Sequence, residues 1–343
     1  MVVGIPKEIV TGEKRVSVVP GIISRLKGIS VVMERGAGEA AGFPDTAYVE
    51  QGVSIVDTSA LYEQSDIILK IQTPTATEAR LFKEGTTLIS FLYPLTNLET
   101  IQILAARRVN ALAMNLIPRS SRAQSMDALS SQAIISGYKA VLLGADSLPR
   151  LFPMLMTAAG TIPPAKVFVI GAGVAGLQAI AVARRLGAMV EAYDVRPAAK
   201  EEIKSLGATF VELPIESKEE QAAGGYAKIQ SEEFYRKQQE LLAEHAQVSD
   251  IVITTALVPG RRAPILVSED AVKKMRLGSV IVDLAAEQGG NCILTEPGKS
   301  VVKYGITIHG LLNLPSTMAP QASQLYSRNI TSFLLTILKD GTL

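Results

Sequence analysis

Three glycines and one acid are the residues of this chain most able to do chemistry. Gly171, Gly173 and Gly176 directly follow the apolar run Val167 to Ile170 and open a stretch of helical period that reaches Gly187. A glycine triad alone says little, but one set between a strand and a helix has a defined use. Gly171 permits a tight turn, Gly173 lets a ligand come up to the backbone, and Gly176 lets the helix lie close on the strand. With Val174 and Ala175 they begin a helix whose first N–H groups lack intrahelical acceptors and carry partial positive charge, which suits a pyrophosphate.

Asp194 stands eighteen positions beyond Gly176, at the end of the next strand candidate, Met189 to Asp194. A carboxylate there accepts hydrogen bonds from the hydroxyls of an adenosine ribose and repels a 2′-phosphate. The spacing predicts a dinucleotide site that favours NAD(H), with Val195 and Arg196 next to the acid. Arg196 pulls the other way, because a guanidinium can also accommodate the 2′-phosphate. Thr255, Ala256 and Leu257 close a further strand candidate, Asp250 to Thr255. At the carboxyl edge of an open α/β sheet such residues either touch a ligand or simply end the strand.

Two series of β-branched runs must position these residues. The first comprises Val2 to Ile5, Ser30 to Met33, Asp66 to Ile71, Thr87 to Leu92 and Val109 to Asn115. The second comprises Lys166 to Ile170, Met189 to Asp194, Ala208 to Leu213, Asp250 to Thr255, Ser279 to Asp283 and Ile306 to His309. Helical patterns between the runs give the βαβ alternation of a parallel sheet. Between the two series, Ser125 to Leu148 sets Met126, Leu129, Ala133, Ile134, Tyr138, Val141 and Leu142 at three- and four-residue steps. That period predicts a long helix, capped by Ser125 or Asp127 and ended at Pro149. Gln321 to Lys339 repeats the period and is expected to return to the first domain. The expected fold is α/β: two Rossmann-like doubly wound parallel-sheet domains joined by a long helix, with a cleft between them. Residues 1–125 and 311–343 would form the first domain, 126–148 the linking helix and 149–310 the dinucleotide-binding domain. Glu212 to Glu233 carries a charged run and then Gly224-Gly225-Tyr226-Ala227-Lys228 without a clear period, and reads as a long mobile loop of the kind that is often functional.

The 343 residues suffice for two domains at about 150 residues each. Hydrophobic residues at 48% and charged residues at 20% place the chain among globular proteins and exclude a disordered one. With 34 Lys plus Arg against 33 Asp plus Glu, the net charge of +1 gives no global field for nucleic acid or anionic lipid, so an anion must be held locally. The single Cys292 excludes an intramolecular disulfide and a multi-cysteine metal site, and fits a reducing cytosol. His245 and His309 leave little material for zinc or triad chemistry, and no metal is expected. His245 reads as a surface residue, His309 as a strand-end residue and Cys292 as a small buried hydrophobe. No run reaches the roughly 18 apolar residues of a spanning helix, and the opening MVVGIPKEIV lacks a signal-peptide pattern, so direct membrane insertion is not expected.

The segment Pro118-Arg119-Ser120-Ser121-Arg122-Ala123-Gln124-Ser125-Met126-Asp127-Ala128-Leu129-Ser130-Ser131-Gln132 closely resembles the signature loop of the NAD(H)-binding subunits of proton-translocating NAD(P) transhydrogenases. That family, with the alanine dehydrogenases, is similar to this chain at Gly4 to Glu8, Arg15-Val16, Ala165 to Gly176, Gly224 to Lys228, Thr254 to Gly260, Val282 to Ala285 and Gly289 to Cys292. The resemblance implies that NADH bound here passes a hydride directly to NADP⁺ on a separate NADP(H)-binding domain, coupled to proton movement through a membrane-spanning proton-channel subunit. It also implies a homodimer in the cytoplasm, peripheral to the inner membrane through those partners. In the family, the positions matching Arg119, Gln124, Asp127 and Ser130 hold the nicotinamide and its ribose, and the position matching Tyr226, after Gly225, folds over bound nucleotide. Gln124 and Ser130 are chemically suited to bond ribose hydroxyls or a carboxamide. Direct transfer between two nicotinamides moves no substrate proton, so the protein supplies proximity and orientation.

Two other readings stand beside this one. An alanine dehydrogenase acts alone on a small amino or keto acid and needs a carboxylate clamp and a proton carrier. Arg15 and Lys70 are present at the matching places, but where those enzymes have a catalytic histidine the run Leu88 to Tyr93 ends in Tyr93. A tyrosine with an ordinary pKa near 10 is a poor proton carrier at neutral pH. A catalytically silent NAD-binding protein would carry the same glycines and the same acid.

Overall fold

The computed structural model describes residues 1–213, 232–258 and 260–338, so Gly225, Tyr226 and most of the loop expected around them lie outside the described residues. Two compact units emerge, one of residues 1–132 with 315–343 and one of residues 133–314. Both are α/β with parallel sheets.

The first unit holds six strands: β1 (Val2–Ile5), β2 (Ser30–Glu34), β3 (Ser54–Val56), β4 (Ile67–Leu69), β5 (Thr87–Ser90) and β6 (Asn110–Ala113). They lie in the order β3-β2-β1-β4-β5-β6, every pair parallel. Ile67, Ile68 and Leu69 are all buried, as a strand covered on both faces requires. The edge strand β3, which the sequence pattern does not reveal, is only three residues long and is nowhere wholly buried, so it leaves no apolar run to read. The helix Ala319–Ile337 returns to this unit. Serines on and just before it accept backbone N–H groups from the irregular stretch after β1: Lys14 to Ser316 at 2.7 Å, Val16 to Ser323 at 3.0 Å and Val19 to Ser327 at 3.1 Å. Those hydroxyls do for this stretch what a ladder does for a strand.

The second unit adds β7 (Leu155–Thr157), β8 (Gly160–Ile162), β9 (Lys166–Ile170), β10 (Met189–Tyr193), β11 (Thr209–Phe210), β12 (Ile251–Thr254), β13 (Val280–Asp283), β14 (Ser300–Lys303) and β15 (Ile306–His309). Seven of them form a sheet in the order β11-β10-β9-β12-β13-β15-β14, and β7 pairs with β8 in a separate hairpin. All ladders in the large sheet are parallel except β14 with β15. Tyr304 and Gly305 make that antiparallel turn with φ of 54° and 77°, both left-handed as a two-residue hairpin requires. The linking helix, Ala128–Ser147, starts in the first unit and continues into the second. Its cap is Asp127, whose Oδ1 accepts the Ser130 N–H at 2.9 Å, while Ser125 belongs to the preceding 3-10 turn Ser121–Met126.

Candidate functional site

Strand β9 lies between β10 and β12, and the chain leaves it toward β10, so the strand order reverses between β9 and β12. Their carboxyl ends, Ile170 and Thr254, stand in register. Ligands of open α/β sheets bind outside such a reversal. Gly171 turns the chain there with φ of 99°, and a Cβ on it would come within 2.5 Å of Thr255 Oγ1. Thr255 Oγ1 donates to the Gly171 carbonyl at 2.9 Å. A Cβ on Gly176 would fall 1.9 Å from that same carbonyl oxygen. Gly171, Gly176 and Thr255 thus form one closed contact without room for a methyl group.

Gly173 is the reverse case, because a Cβ there would meet nothing within 4 Å. It caps the helix Val174–Arg185 without any side-chain cap bond. The first-turn N–H groups of that helix have no intrahelical acceptors, and the open side at Gly173 lets an anion reach them. These residues fit the pyrophosphate of a dinucleotide. Gly137 brings the linking helix so close that a Cβ on it would lie 2.1 Å from the Ala175 carbonyl oxygen. That contact fixes the first turn from behind, and no local pattern announces it.

Asp194 is more committed than its spacing suggests. Its Oδ2 accepts the Ala172 N–H at 2.7 Å and Arg196 Nη2 at 3.0 Å, while Oδ1 accepts Arg196 Nε at 2.9 Å and the Arg196 N–H at 2.8 Å. Hydrogen bonding to Asp194 holds the Arg196 guanidinium above its ordinary pKa. A ribose hydroxyl must therefore share this carboxylate with Arg196 or displace it. Val195 packs on the core of the second unit.

Ala256 is fixed by a residue whose role the sequence does not reveal. Asn291 Oδ1 accepts the Ala256 N–H at 3.0 Å, and its Nδ2 donates to the Ala256 carbonyl at 2.9 Å and the Pro264 carbonyl at 2.8 Å. Asn291 is held in turn by Asp283, whose Oδ2 accepts N–H groups of Asn291 and Cys292 and the Thr295 hydroxyl, while Oδ1 accepts the Thr254 hydroxyl. One buried carboxylate so braces the ends of both β12 and β13. Leu257 stays exposed at the rim.

The loop expected to hold the nicotinamide lies in the first unit. Arg119 and Gln124 are exposed, and Asp127 and Ser130 are half-buried. Asn329 Nδ2 donates to the Ser125 carbonyl at 2.9 Å and ties the 3-10 turn to the returning helix. Asp127 Oδ2 accepts the Ser130 hydroxyl at 2.6 Å. With its proton committed, Ser130 Oγ presents lone pairs outward and acts as an acceptor.

Neither histidine has the setting of a catalyst. His245 is half-buried at the surface, with Nδ1 at 2.7 Å from Glu191 Oε2 and its ring 5.4 Å from Phe168. His309 sits between two hydroxyls, Ser147 at Nε2 and Ser300 at Nδ1, and burial lowers its pKa. Cys292 is buried, which pushes its thiol up to about 11. Among the described residues no group of three or more His, Cys, Asp or Glu could hold a metal, and no helix is long and apolar enough to cross a membrane.

The first unit has a reversal of its own, at β1 and β4, and its own charges fill it. Lys70, 1% exposed, lies 2.7 Å from Glu78 Oε1 and 3.2 Å from Glu8 Oε2. Arg15, 3% exposed, donates through Nε and Nη2 to Glu13 and through Nη1 to Gln132 Oε1 at 2.8 Å. Burial pushes the Glu13 carboxyl up, but the hydrogen bonds and charge of Arg15 and the amide of Gln72 pull it further down, from 4.5 to about 2. With its folded pKa below the unfolded one, Glu13 contributes stability that is complete above about pH 4.5 and is lost as pH falls toward 2. Glu13→Gln should flatten that acid arm in urea titrations followed by far-UV circular dichroism; an arm as steep as the parent's would contradict the assignment.

Comparison with known proteins agrees with this architecture. Residues 4–136 match the family described as "Alanine dehydrogenase/PNT, N-terminal domain", and residues 140–343 match "Alanine dehydrogenase/PNT, C-terminal domain". The chain is 49% identical over 350 residues to "NAD(P) transhydrogenase subunit alpha" of Cereibacter sphaeroides, covering 100% of this chain and 67% of that one. It is 31% identical over 345 residues to "Alanine dehydrogenase 2" of Staphylococcus aureus, covering 96% and 85%. Among solved structures it is similar to "The crystal structure of transhydrogenase from Sinorhizobium meliloti", with a TM-score of 0.88 at 44% identity over 98% of this chain and 94% of that one. The chain belongs to the alanine dehydrogenase/PNT family, and within it is more similar to these transhydrogenases than to the alanine dehydrogenase.

Proposed function

We propose that this chain is the NAD(H)-binding component of a proton-translocating NAD(P) transhydrogenase and presents NADH for direct hydride transfer to NADP⁺ on a partner domain. The observation that carries the nucleotide half is the closed contact of Gly171, Gly176 and Thr255 at the strand reversal, beside a helix start left open at Gly173. Val174, Ala175 and the glycines hold the pyrophosphate, Asp194, Val195 and Arg196 the adenosine ribose, and Thr255, Ala256 and Leu257 border the ligand. Gly225 and Tyr226, assigned to the same ligand by the family resemblance, lie outside the described residues. Arg119, Gln124, Asp127 and Ser130 hold the nicotinamide and its ribose, Ser130 accepting a carboxamide N–H because its own proton is given to Asp127. NADH supplies the hydride, and the chain orients it. Partner subunits carry the NADP(H) site and the membrane channel, and the chain works as a homodimer on the cytoplasmic side of the inner membrane.

The electrostatics of the first unit favour this reading over an alanine dehydrogenase. Arg15 and Lys70 are buried and committed to Glu13, Glu8 and Glu78, so neither is offered to a substrate carboxylate. Tyr93 is held with φ of 43° by Asn115, which accepts its N–H, and stacks on Phe91. Mixed with a soluble NADP(H)-binding domain of a transhydrogenase, the chain should pass hydride from NADH to an NADP⁺ analogue. Oxidation of alanine by the chain alone at enzyme-like rates would refute the proposal, and so would binding of the partner without transfer. Gln124→Asn should slow transfer roughly 10- to 100-fold while leaving NADH affinity nearly intact, because a displaced nicotinamide loses orientation before it loses binding.

A further inference from the structure

We propose that Arg15 is a positioning residue for the loop 119–130, acting through Gln132 on the first turn of the linking helix. The inference rests on the assignment of that loop to the nicotinamide. Gln132 lies two positions beyond Ser130 in the turn that Asp127 caps. Its amide is clamped at both ends: Oε1 accepts from Arg15 Nη1 at 2.8 Å, and Nε2 donates to the Ala322 carbonyl of the returning helix at 3.1 Å. Gln132 is itself buried, so water does not replace either bond.

Arg15 is rigid enough to serve as the fixed end. Its Nε and Nη2 donate to Glu13 as a planar fork, which sets the direction of the remaining Nη1. Glu13 is pinned in turn, with Oε1 accepting the Arg15 N–H at 2.9 Å and Oε2 accepting Gln72 Nε2 at 2.8 Å. A continuous chain of bonds therefore runs from Gln72 beyond β4, through Glu13 and Arg15, to Gln132 and the returning helix. Apolar packing could hold a helix at that distance, but it would leave the rotation of the first turn loosely set. A forked guanidinium fixes it, and with it the direction in which Asp127 holds the Ser130 hydroxyl.

The test uses the full chain as parent, Arg15→Lys, Gln132→Leu and the double variant, each checked for folding by circular dichroism. Arg15→Lys keeps the buried charge and loses the fork. At saturating NADH each single variant should slow hydride transfer to the partner domain by about tenfold or more, with NADH affinity changed less than about twofold. The double variant should be no slower than the slower single, since both break the same link. Amide exchange over residues 123–131 should speed up about tenfold in both singles, a readout that needs no activity. Unchanged exchange in these variants, or additive losses of transfer, would overturn the proposal. If Arg15→Lys fails to fold, Gln132→Leu decides it by the same exchange measurement. Faster exchange in the variants of a parent that transfers no hydride would keep the brace and refute the assignment of the loop.

Discussion

Gly176→Ala should cost this chain at least about 100-fold in NADH affinity. The added methyl carbon would stand 1.9 Å from the Gly171 carbonyl oxygen, far inside contact distance. The neighbour is backbone, and that backbone is held by the Thr255 hydroxyl and by the Gly171 N–H, which donates to the Tyr193 carbonyl at 2.8 Å. The turn must open, and overpacking of this kind costs about 3 kcal/mol, equivalent to about 100-fold in affinity where the displaced groups are the ligand's own. Gly173→Ala isolates the ligand from the fold, because its methyl meets nothing within 4 Å in the protein. It should keep the parental melting temperature and still bind NADH more weakly, whereas Gly176→Ala should lose both. Titration of NADH fluorescence beside thermal melts separates the two, and a Gly173→Ala protein with parental affinity would show that no phosphate comes to that side.

The contrast explains why this part of the site was legible. Gly171 and Gly176 are required by backbone geometry within six residues, so spacing alone reveals them. Asn291 and Asp283 do comparable work for Ala256 and Thr254, but from 35 and 29 positions away, where no period connects them. Gly137 serves by a helix crossing and carries no local signature. The strands followed the same division. The buried strand β9 carries a continuous apolar run from Val167 to Ile170 and is legible to the residue, whereas β3, the β7–β8 hairpin and β14 are short and nowhere wholly buried.

Asp194 shows a further limit of reading by spacing. Its position was legible, but the neighbouring guanidinium that saturates it changes what it can do. A carboxylate so neutralised repels a 2′-phosphate less than an isolated one. The preference for NAD(H) then depends on whether Arg196 stays on Asp194 when ligand arrives. The same lesson holds in the first unit, where Arg15 and Lys70 looked like a substrate clamp. Glu13 and Glu78 are near Arg15 and Lys70 in sequence, but Glu8 is far from Lys70 along the chain and only the fold brings the two together.

That collection makes Lys70→Met the most damaging single change expected in the first unit. Glu8, Glu13 and Glu78 face Arg15 and Lys70, three acids against two bases. Burial pushes the Glu8 carboxyl up, against the pull of Lys70 and the Ile71 N–H, and nearby Glu13 and Glu78 add to the rise. Lys70 stays charged because Glu8 and Glu78 outweigh the burial that opposes it. Removing the lysine leaves carboxylates without a cation in a dry interior, a loss of about 3–5 kcal/mol and a fall in melting temperature on the order of 10 °C. Because the folded pKa of Glu8 lies above the unfolded value, folding takes up a proton there and stability declines as pH rises past about 4.5. Without Lys70 the decline steepens, so the loss should be greater near about pH 8 than near about pH 5. Adding Glu8→Gln and Glu78→Gln to Lys70→Met should recover most of the stability, because the amides keep the bonds to the Ile71 and Thr75 N–H groups without the charge. A triple variant as unstable as Lys70→Met would show that the hydrogen bonding of the ammonium group, and not the balance of charge, holds this end of the sheet.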